Sequence, residues 1–221
     1  ELHGAEHNVL PDRIVAGTLA IGAALSRGDI ELDDYPWDHL LALTHLMHEI
    51  GVKVEQVDPS QPCDRCTVRI AADGPFNPVL FTTQPYPGFP TDLQAQLMAL
   101  LCLARGNSIV TEKIFPDRYL HVSELVRMGA KVYRQGGTVV VQGVSGLVGA
   151  PVMASDLRGS ASLVLAGLAA AGETIVSRIY HLDRGYCHLE TQLNSLGAQI
   201  ERFDPDVPAA TSTETVESAS C

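Results

Sequence analysis

Arginine beside aspartate recurs along this chain in a pattern that suits the binding of small anions. Arg13, Arg118, Arg158 and Arg184 lie next to, or two residues from, Asp12, Asp117, Asp156 and Asp183, at positions that read as first turns of helices. A cation there opposes the helix dipole and costs about 0.3–1 kcal/mol, so one instance means little. Four at matched places, in a 221-residue chain whose 15 Lys and Arg face 26 Asp and Glu for a formal net charge of −11, point to a guanidinium cluster built for an anionic ligand. The bland alternative is that each arginine pairs only with its neighbouring aspartate, a contact of little energetic worth. Asp12 and Asp156 also have an ordinary role open to them as helix N-caps. Asp92 differs in context: it ends residues 86–92 (YPGFPTD), where two prolines and a glycine make a stiff turn that projects a carboxylate while Thr91 caps the helix.

The elements that must position these residues repeat three times. Each copy has an Asp, an apolar helical run, a Gly, a β-branched run, a second amphipathic run, a Gly and a further strand-like run. The helix-opening aspartates are Asp12, Asp92 and Asp156; Gly28, Gly106 and Gly172 close the first helix, and Gly51, Gly129 and Gly197 the second. Strands are expected at 67–71 and 79–82 before the second copy, at 138–142 and 152–154 before the third, and at 199–203. Each copy reads βαβαββ, and the last lacks its closing strand. The expectation is an α/β lobe over residues 1–203, with repeats of about 9–74, 75–148 and 149–203, first helices central and sheets outside. Residues 204–221 hold no Lys or Arg and are biased to Ser, Thr, Ala and Pro, which predicts a disordered acidic tail.

Charge and composition exclude other classes. A chain this acidic has no general attraction for nucleic acid or anionic membrane. Its longest low-charge stretch, 159–172, falls short of the roughly 20 residues a spanning helix needs. Glu1 is not a Met, and the expectation is a fragment of a longer protein. Five cysteines, sparse and odd in number, suit a reducing cytoplasm. Cys63 and Cys66 make one CxxC, half a zinc site, read here as a turn between strands. His39, His45, His48 and Glu49 crowd one segment and read as the solvated edge of a helix.

Residues 87–96 (PGFPTDLQAQ), 121–130 (HVSELVRMGA), 155–167 (SDLRGSASLVLAG) and 178–186 (RIYHLDRGY), with LPDRI at 10–14, resemble the UDP-N-acetylglucosamine 1-carboxyvinyltransferases, members of the enolpyruvyl transferase (EPSP synthase-like) superfamily. The match runs in order to about Phe203 and covers the second of two lobes, each an inside-out α/β barrel of three βαβαββ units. The resemblance implies that the 3-hydroxyl of UDP-N-acetylglucosamine attacks phosphoenolpyruvate, that a tetrahedral adduct expels phosphate, and that an enolpyruvyl ether remains, the first committed step of peptidoglycan synthesis. It implies no metal or organic cofactor. It gives Asp92 contact with the attacking hydroxyl as candidate base; physically, burial on closure of the two lobes would raise its pKa toward working pH. Arg118, Arg158 and Arg184 would surround the reacting phosphate and carboxylate, and Asp156 would stand near the reacting carbons. Thr91 and Arg13 would be substrate contacts.

The departures from that pattern are specific. The family's mobile loop with its catalytic cysteine belongs to the other lobe, and none of Cys63, Cys66, Cys102, Cys187 or Cys221 sits in a matching motif. Pro116-Asp117 replaces an acid-amide pair, and Gly159 an alanine. The chain alone is expected to be inactive and to need its first lobe, in cis or as a split subunit. Two rivals are a non-catalytic lobe that binds anions or sugar nucleotides, and a transferase acting on shikimate 3-phosphate.

Overall fold

The computed structural model describes residues 2–203; the proposed tail at 204–221, with Cys221, lies outside them. They form a mixed α/β arrangement in which a larger unit ends at Cys187 and a second begins at His188. Among the described residues no helix is long and apolar enough to cross a membrane.

The larger unit opens with α1 (Arg13–Leu25), β1 (Asp29–Tyr35), α2 (Leu41–Ile50), β2 (Lys53–Gln56) and β3 (Cys66–Ala71). In β3, Cys66, Val68 and Ile70 alternate inward and are buried, as a sheet with one solvated face requires. It is the middle strand of an antiparallel sheet ordered β1-β3-β2. Asp12 caps α1, its carboxylate accepting from the Ile14 and Val15 amides. At the other end of α1 the structure corrects the sequence reading. The left-handed residue is Arg27 (φ 56°), not Gly28. Arg27 N–H donates to Ala24 O and Gly28 N–H to Ala23 O, so the Schellman turn closes one residue early, with the Arg27 guanidinium 4.3 Å from the Phe76 ring.

Next come β4 (Leu80–Thr82), α3 (Gln94–Leu101), β5 (Asn107–Thr111), α4 (His121–Arg127), β6 (Lys131–Gln135) and β7 (Thr138–Gln142). Their four strands form one sheet ordered β4-β5-β7-β6, parallel only between β4 and β5. Two short parallel pairs follow, β8 (Leu147–Val148) with β10 (Ala170–Ala171) and β9 (Pro151–Met153) with β11 (Ile175–Ser177), on either side of α5 (Leu157–Ala169) in sequence.

Helices α1, α3 and α5 pack against one another. Every residue of α3 is buried, as a helix enclosed on all sides must be. Glycines let the backbones close up: a Cβ on Gly17 would lie 2.6 Å from Leu93 Cδ1, and one on Gly22 2.9 Å from Leu165 Cδ2.

In the second unit, α6 (Leu189–Ser195) ends at a left-handed Gly197. The strand expected at 199–203 does not form. Asn194 instead brackets Ile200, donating from Nδ2 to its carbonyl and accepting its amide at Oδ1, both at 2.8 Å, so a side chain takes the backbone bonds a neighbouring strand would have supplied.

Leu97, wholly buried in α3, tests the packing. Leu97→Ala should cost about 2–5 kcal/mol in denaturant unfolding, whereas Leu80→Ala, on an exposed position of β4, should change stability by less than about 0.5 kcal/mol.

Candidate active site

The approach to Asp92 is built locally. Gln84 N–H bonds Phe89 O and Gly88 N–H bonds Pro85 O, folding the YPGFPTD segment back on itself, and the buried Phe89 ring packs on Phe81 at 4.6 Å between centroids. Asp92 then falls inside a 3-10 turn, Thr91–Leu93, ahead of α3. It therefore does not open its helix as a cap, and neither does Thr91. The Thr91 hydroxyl donates to Glu112 Oε2 at 2.9 Å and accepts from Arg118 Nη1 at 3.2 Å.

Two arginines converge on the Asp92 carboxylate. Arg118 Nη1 reaches Oδ1 at 2.6 Å, and Arg158 Nη2 and Nε reach Oδ2 at 3.0 and 3.3 Å. The ion-pair reading by sequence neighbours fails for both: Asp117 pairs with Arg134 at 2.7 Å, and Asp156 caps α5 by accepting from the Arg158 and Gly159 amides. Only Arg13 and Arg158 occupy first helical turns. Arg118 stands in the loop before α4, and Arg184 ends a 3-10 turn, Ile179–Arg184, where it is exposed. Among the described contacts neither Arg184 nor Arg13 joins the Asp92 cluster; the Arg13 guanidinium lies 5.1 Å from the centre of the Tyr86 ring.

Burial pulls the Asp92 carboxyl upward, but the hydrogen bond and charge of Arg118, with the charge and hydrogen bonds of Arg158, outweigh it and hold the group below its ordinary range. Burial disfavours the charged form of Arg158, yet the Tyr186 hydroxyl and Asp92 keep it protonated more firmly than usual.

A buried polar network that spacing did not reveal supports this contact. Glu112, only 2% exposed, accepts from the Thr83 and Thr91 hydroxyls and from the Ile114 and Phe115 amides. It thereby orients Thr91 toward Arg118. On the other side, Arg158 Nη1 donates to the Tyr186 hydroxyl at 3.2 Å, which shares a triangle with Thr18 Oγ1 (2.9 Å) and Gln96 Nε2 (3.2 Å). Gln96 Nε2 also reaches Asp92 O at 2.9 Å, so α1, α3 and α5 meet through hydroxyls and an amide as well as through leucines. A helix-interior Gln and a Thr on an otherwise apolar stripe were the available signal.

His121, 1% exposed at the start of α4, is a further buried group, and its Nε2 has no hydrogen-bond partner. Gly159 makes room for it: a Cβ there would stand 2.9 Å from Asp156 Oδ2 and 3.3 Å from His121 Cβ. Burial pushes the imidazole pKa down to about 4; the Asp156 charge opposes that shift and the Arg118 charge adds to it.

The other candidate groups disperse. His45 pairs with Glu49 at 3.0 Å, His48 Nε2 meets Val54 O at 2.9 Å and His39 Nδ1 meets the Tyr86 hydroxyl at 3.1 Å. Beside Arg118 the surface dips into an open concavity of about 510 Å³ lined by residues 114–118. A second, of about 440 Å³, lies on the β1-β3-β2 sheet, where Arg69–Asp29 and Lys53–Asp73 already pair.

An α/β chain with arginines gathered on one carboxylate fits a protein that handles small anions. The chain belongs to the EPSP synthase (3-phosphoshikimate 1-carboxyvinyltransferase) family, whose sequence pattern matches residues 1–193. It is 53% identical over 205 residues to a UDP-N-acetylglucosamine 1-carboxyvinyltransferase of Novosphingobium aromaticivorans, covering 93% of this chain and 46% of that protein. It is 51% identical over 201 residues to the like-named protein of Nitratidesulfovibrio vulgaris, covering 91% and 47%. Among solved structures it is similar to the enolpyruvyl transferase NikO from Streptomyces tendae, with a TM-score of 0.74 and 28% identity over 86% of this chain and 44% of that one. EPSP synthase from Acinetobacter baumannii, at 19% identity and a TM-score of 0.65, shares the fold over 89% of this chain and 44% of its own. The chain thus spans about half the length of the curated relatives it matches.

His121 carries a testable sign. Its folded pKa lies below the unfolded value of about 6.5, so the folded form resists a proton that the unfolded chain accepts. The stability this contributes is complete above pH 6.5 and is lost as pH falls toward 4, to a total of about 3 kcal/mol. His121→Gln, which does not titrate in that interval, should flatten this part of the pH–stability curve measured by denaturant unfolding.

Proposed function

We propose that this chain is one lobe of a cytoplasmic enolpyruvyl transferase that joins phosphoenolpyruvate to the 3-hydroxyl of UDP-N-acetylglucosamine, the first committed step of peptidoglycan synthesis. In this reading residues 1–203 make an inside-out α/β barrel lobe of three βαβαββ units, about 9–74, 75–148 and 149–203, with α1, α3 and α5 central. The observation that carries it is the meeting of Asp92 with Arg118 and Arg158, a carboxylate and two guanidiniums drawn from the second and third units. The names of the half-identical relatives support this acceptor over shikimate 3-phosphate.

In this reading each residue has a task. Phosphoenolpyruvate brings a carboxylate and a phosphate that compete with Asp92 for Arg118 and Arg158. As the guanidiniums turn to the substrate, Asp92 loses the contacts that depress its pKa and keeps the burial that raises it. It becomes a stronger base when the electrophile is in place. One carboxylate oxygen of Asp92 then takes the proton of the sugar's 3-hydroxyl as the hydroxyl oxygen bonds to the phosphate-bearing carbon, while the terminal carbon gains a proton from a donor outside this lobe. Loss of phosphate and of a proton from the terminal carbon leaves the enol ether. Arg118, Arg158 and Arg184 stabilise the charge on adduct and leaving group, Asp156 stands near the reacting carbons, and Thr91 and Arg13 complete the substrate contacts. The other lobe, in cis or as a separate subunit, supplies that proton donor.

The chain alone should release no phosphate from the two substrates above a no-protein control. UDP-N-acetylglucosamine and phosphoenolpyruvate should raise its melting temperature and shikimate 3-phosphate should not; the reverse would assign the other acceptor. With the complementary lobe supplied, Asp92→Asn should lower kcat by about 10²–10⁴. Arg184→Ala should weaken phosphoenolpyruvate engagement by about 1.5–3 kcal/mol, read from kcat/KM. Binding of both ligands without turnover in the restored protein would make this a binding lobe only.

A further inference from the structure

The CxxC pair, Cys63 and Cys66, lies where the chain passes from β2 into β3. Residues 62–65 form the turn into β3, closed by Arg65 N–H on Pro62 O at 3.0 Å. Cys63, in the turn, is exposed; Cys66, the first residue of β3, is 1% exposed. Gln56 Nε2, at the end of β2, lies 3.8 Å from Cys63 Sγ and 3.6 Å from Cys66 Sγ, so one amide group touches both thiols and they share one side of the turn. Among the described residues no group of three or more His, Cys, Asp or Glu is placed to hold a metal ion, and both cysteines are free thiols.

We propose that Cys63 and Cys66 are a site of reversible oxidation, closing to an intrachain disulfide when the protein meets a peroxide. The exposed Cys63 thiolate attacks one peroxide oxygen, giving a sulfenic acid and releasing water or an alcohol. The sheltered Cys66 thiol then attacks the Cys63 sulfur and expels water. The two thiols give up two electrons and two protons in all, and the peroxide is the acceptor. Such pairs, one thiol accessible and a second beside it to resolve the sulfenic acid, are the usual form of a redox-responsive site in a reducing compartment. The crosslink acts beside the candidate active site and not in it: Cys63 O holds the Asp38 amide, and the adjacent His39 meets Tyr86 at the start of the turn to Asp92. The inference does not depend on the transferase reading, since its test reads sulfur alone.

Arg65 separates the two cysteines, which makes the test direct. The folded chain is treated with hydrogen peroxide, free thiols are alkylated, and the protein is digested with trypsin. Peptides 54–65 and 66–69 should appear as one linked species, two hydrogens lighter than the pair, and should separate with a reducing agent. Cys187, a free and exposed cysteine outside the CxxC pair, serves as an internal comparison and should yield irreversible oxidation products instead. In Cys63→Ser, a surface change, Cys66 should remain an alkylatable thiol after the same treatment and unfolding. Recovery of 66–69 as free thiol while Cys63 proceeds to sulfinic acid would overturn the proposal, as would linkage of Cys63 to Cys187, to Cys221 or to a second chain.

Discussion

The arrangement depends on keeping two guanidiniums close together, which is unfavourable unless a carboxylate stands between them. Asp92 does this with both oxygens, one for Arg118 and one for Arg158. Its own placement is demanding: the stiff 84–90 turn must deliver it, the buried Phe89 must anchor that turn, and α5 must start where Arg158 can cross to it. A carboxylate held this way is half-buried and doubly bonded, so truncating it would strand two cations with little water to screen them. Glu112 and Tyr186 extend the same logic outward, each fixing an arginine's second contact.

Much of the frame was legible because it follows from local chemistry. Capping was one of two roles open to Asp12 and Asp156, and both cap, since a short carboxylate ahead of an apolar run has amides waiting for it. Gly51, Gly129 and Gly197 take positive φ after the second helices for the same local reason. Thr91, read as the cap beside Asp92, is not one: its hydroxyl bonds Glu112 and Arg118, and Asp92 meets two cations from elsewhere in the chain. That was invisible to spacing. So was the identity of each arginine's partner, since the contacts of Arg118 and Arg158 lie 26 and 66 residues away in sequence. The strand expected at 199–203 followed from the repeat, but Asn194 offered the backbone of Ile200 a closer partner than a sheet edge.

The buried polar groups mark where fold and chemistry share residues. A leucine at Gln96 or a valine at Thr18 would pack the α1–α3–α5 junction without the cost of burying polar atoms, yet the chain keeps an amide and two hydroxyls there. Their geometry explains why: through Tyr186 they hold one guanidinium nitrogen of Arg158 while its other two nitrogens face Asp92. An apolar junction would leave that arginine free to rotate out of the pair. The network therefore trades some core stability for a fixed charge position, which is useful only if something charged must be met there.

Competition for the arginines links binding to basicity in the proposed reaction. Any anion that draws Arg118 and Arg158 from Asp92 raises the Asp92 pKa, and thermodynamic reciprocity then requires that protonating Asp92 strengthen anion binding by the same factor. A base that is weak in the free protein and stronger in the complex avoids taking up a proton from solvent before the electrophile arrives. It also means that the low pKa of Asp92 is not evidence against its role: that value belongs to a carboxylate whose partners are the very groups an anionic substrate recruits.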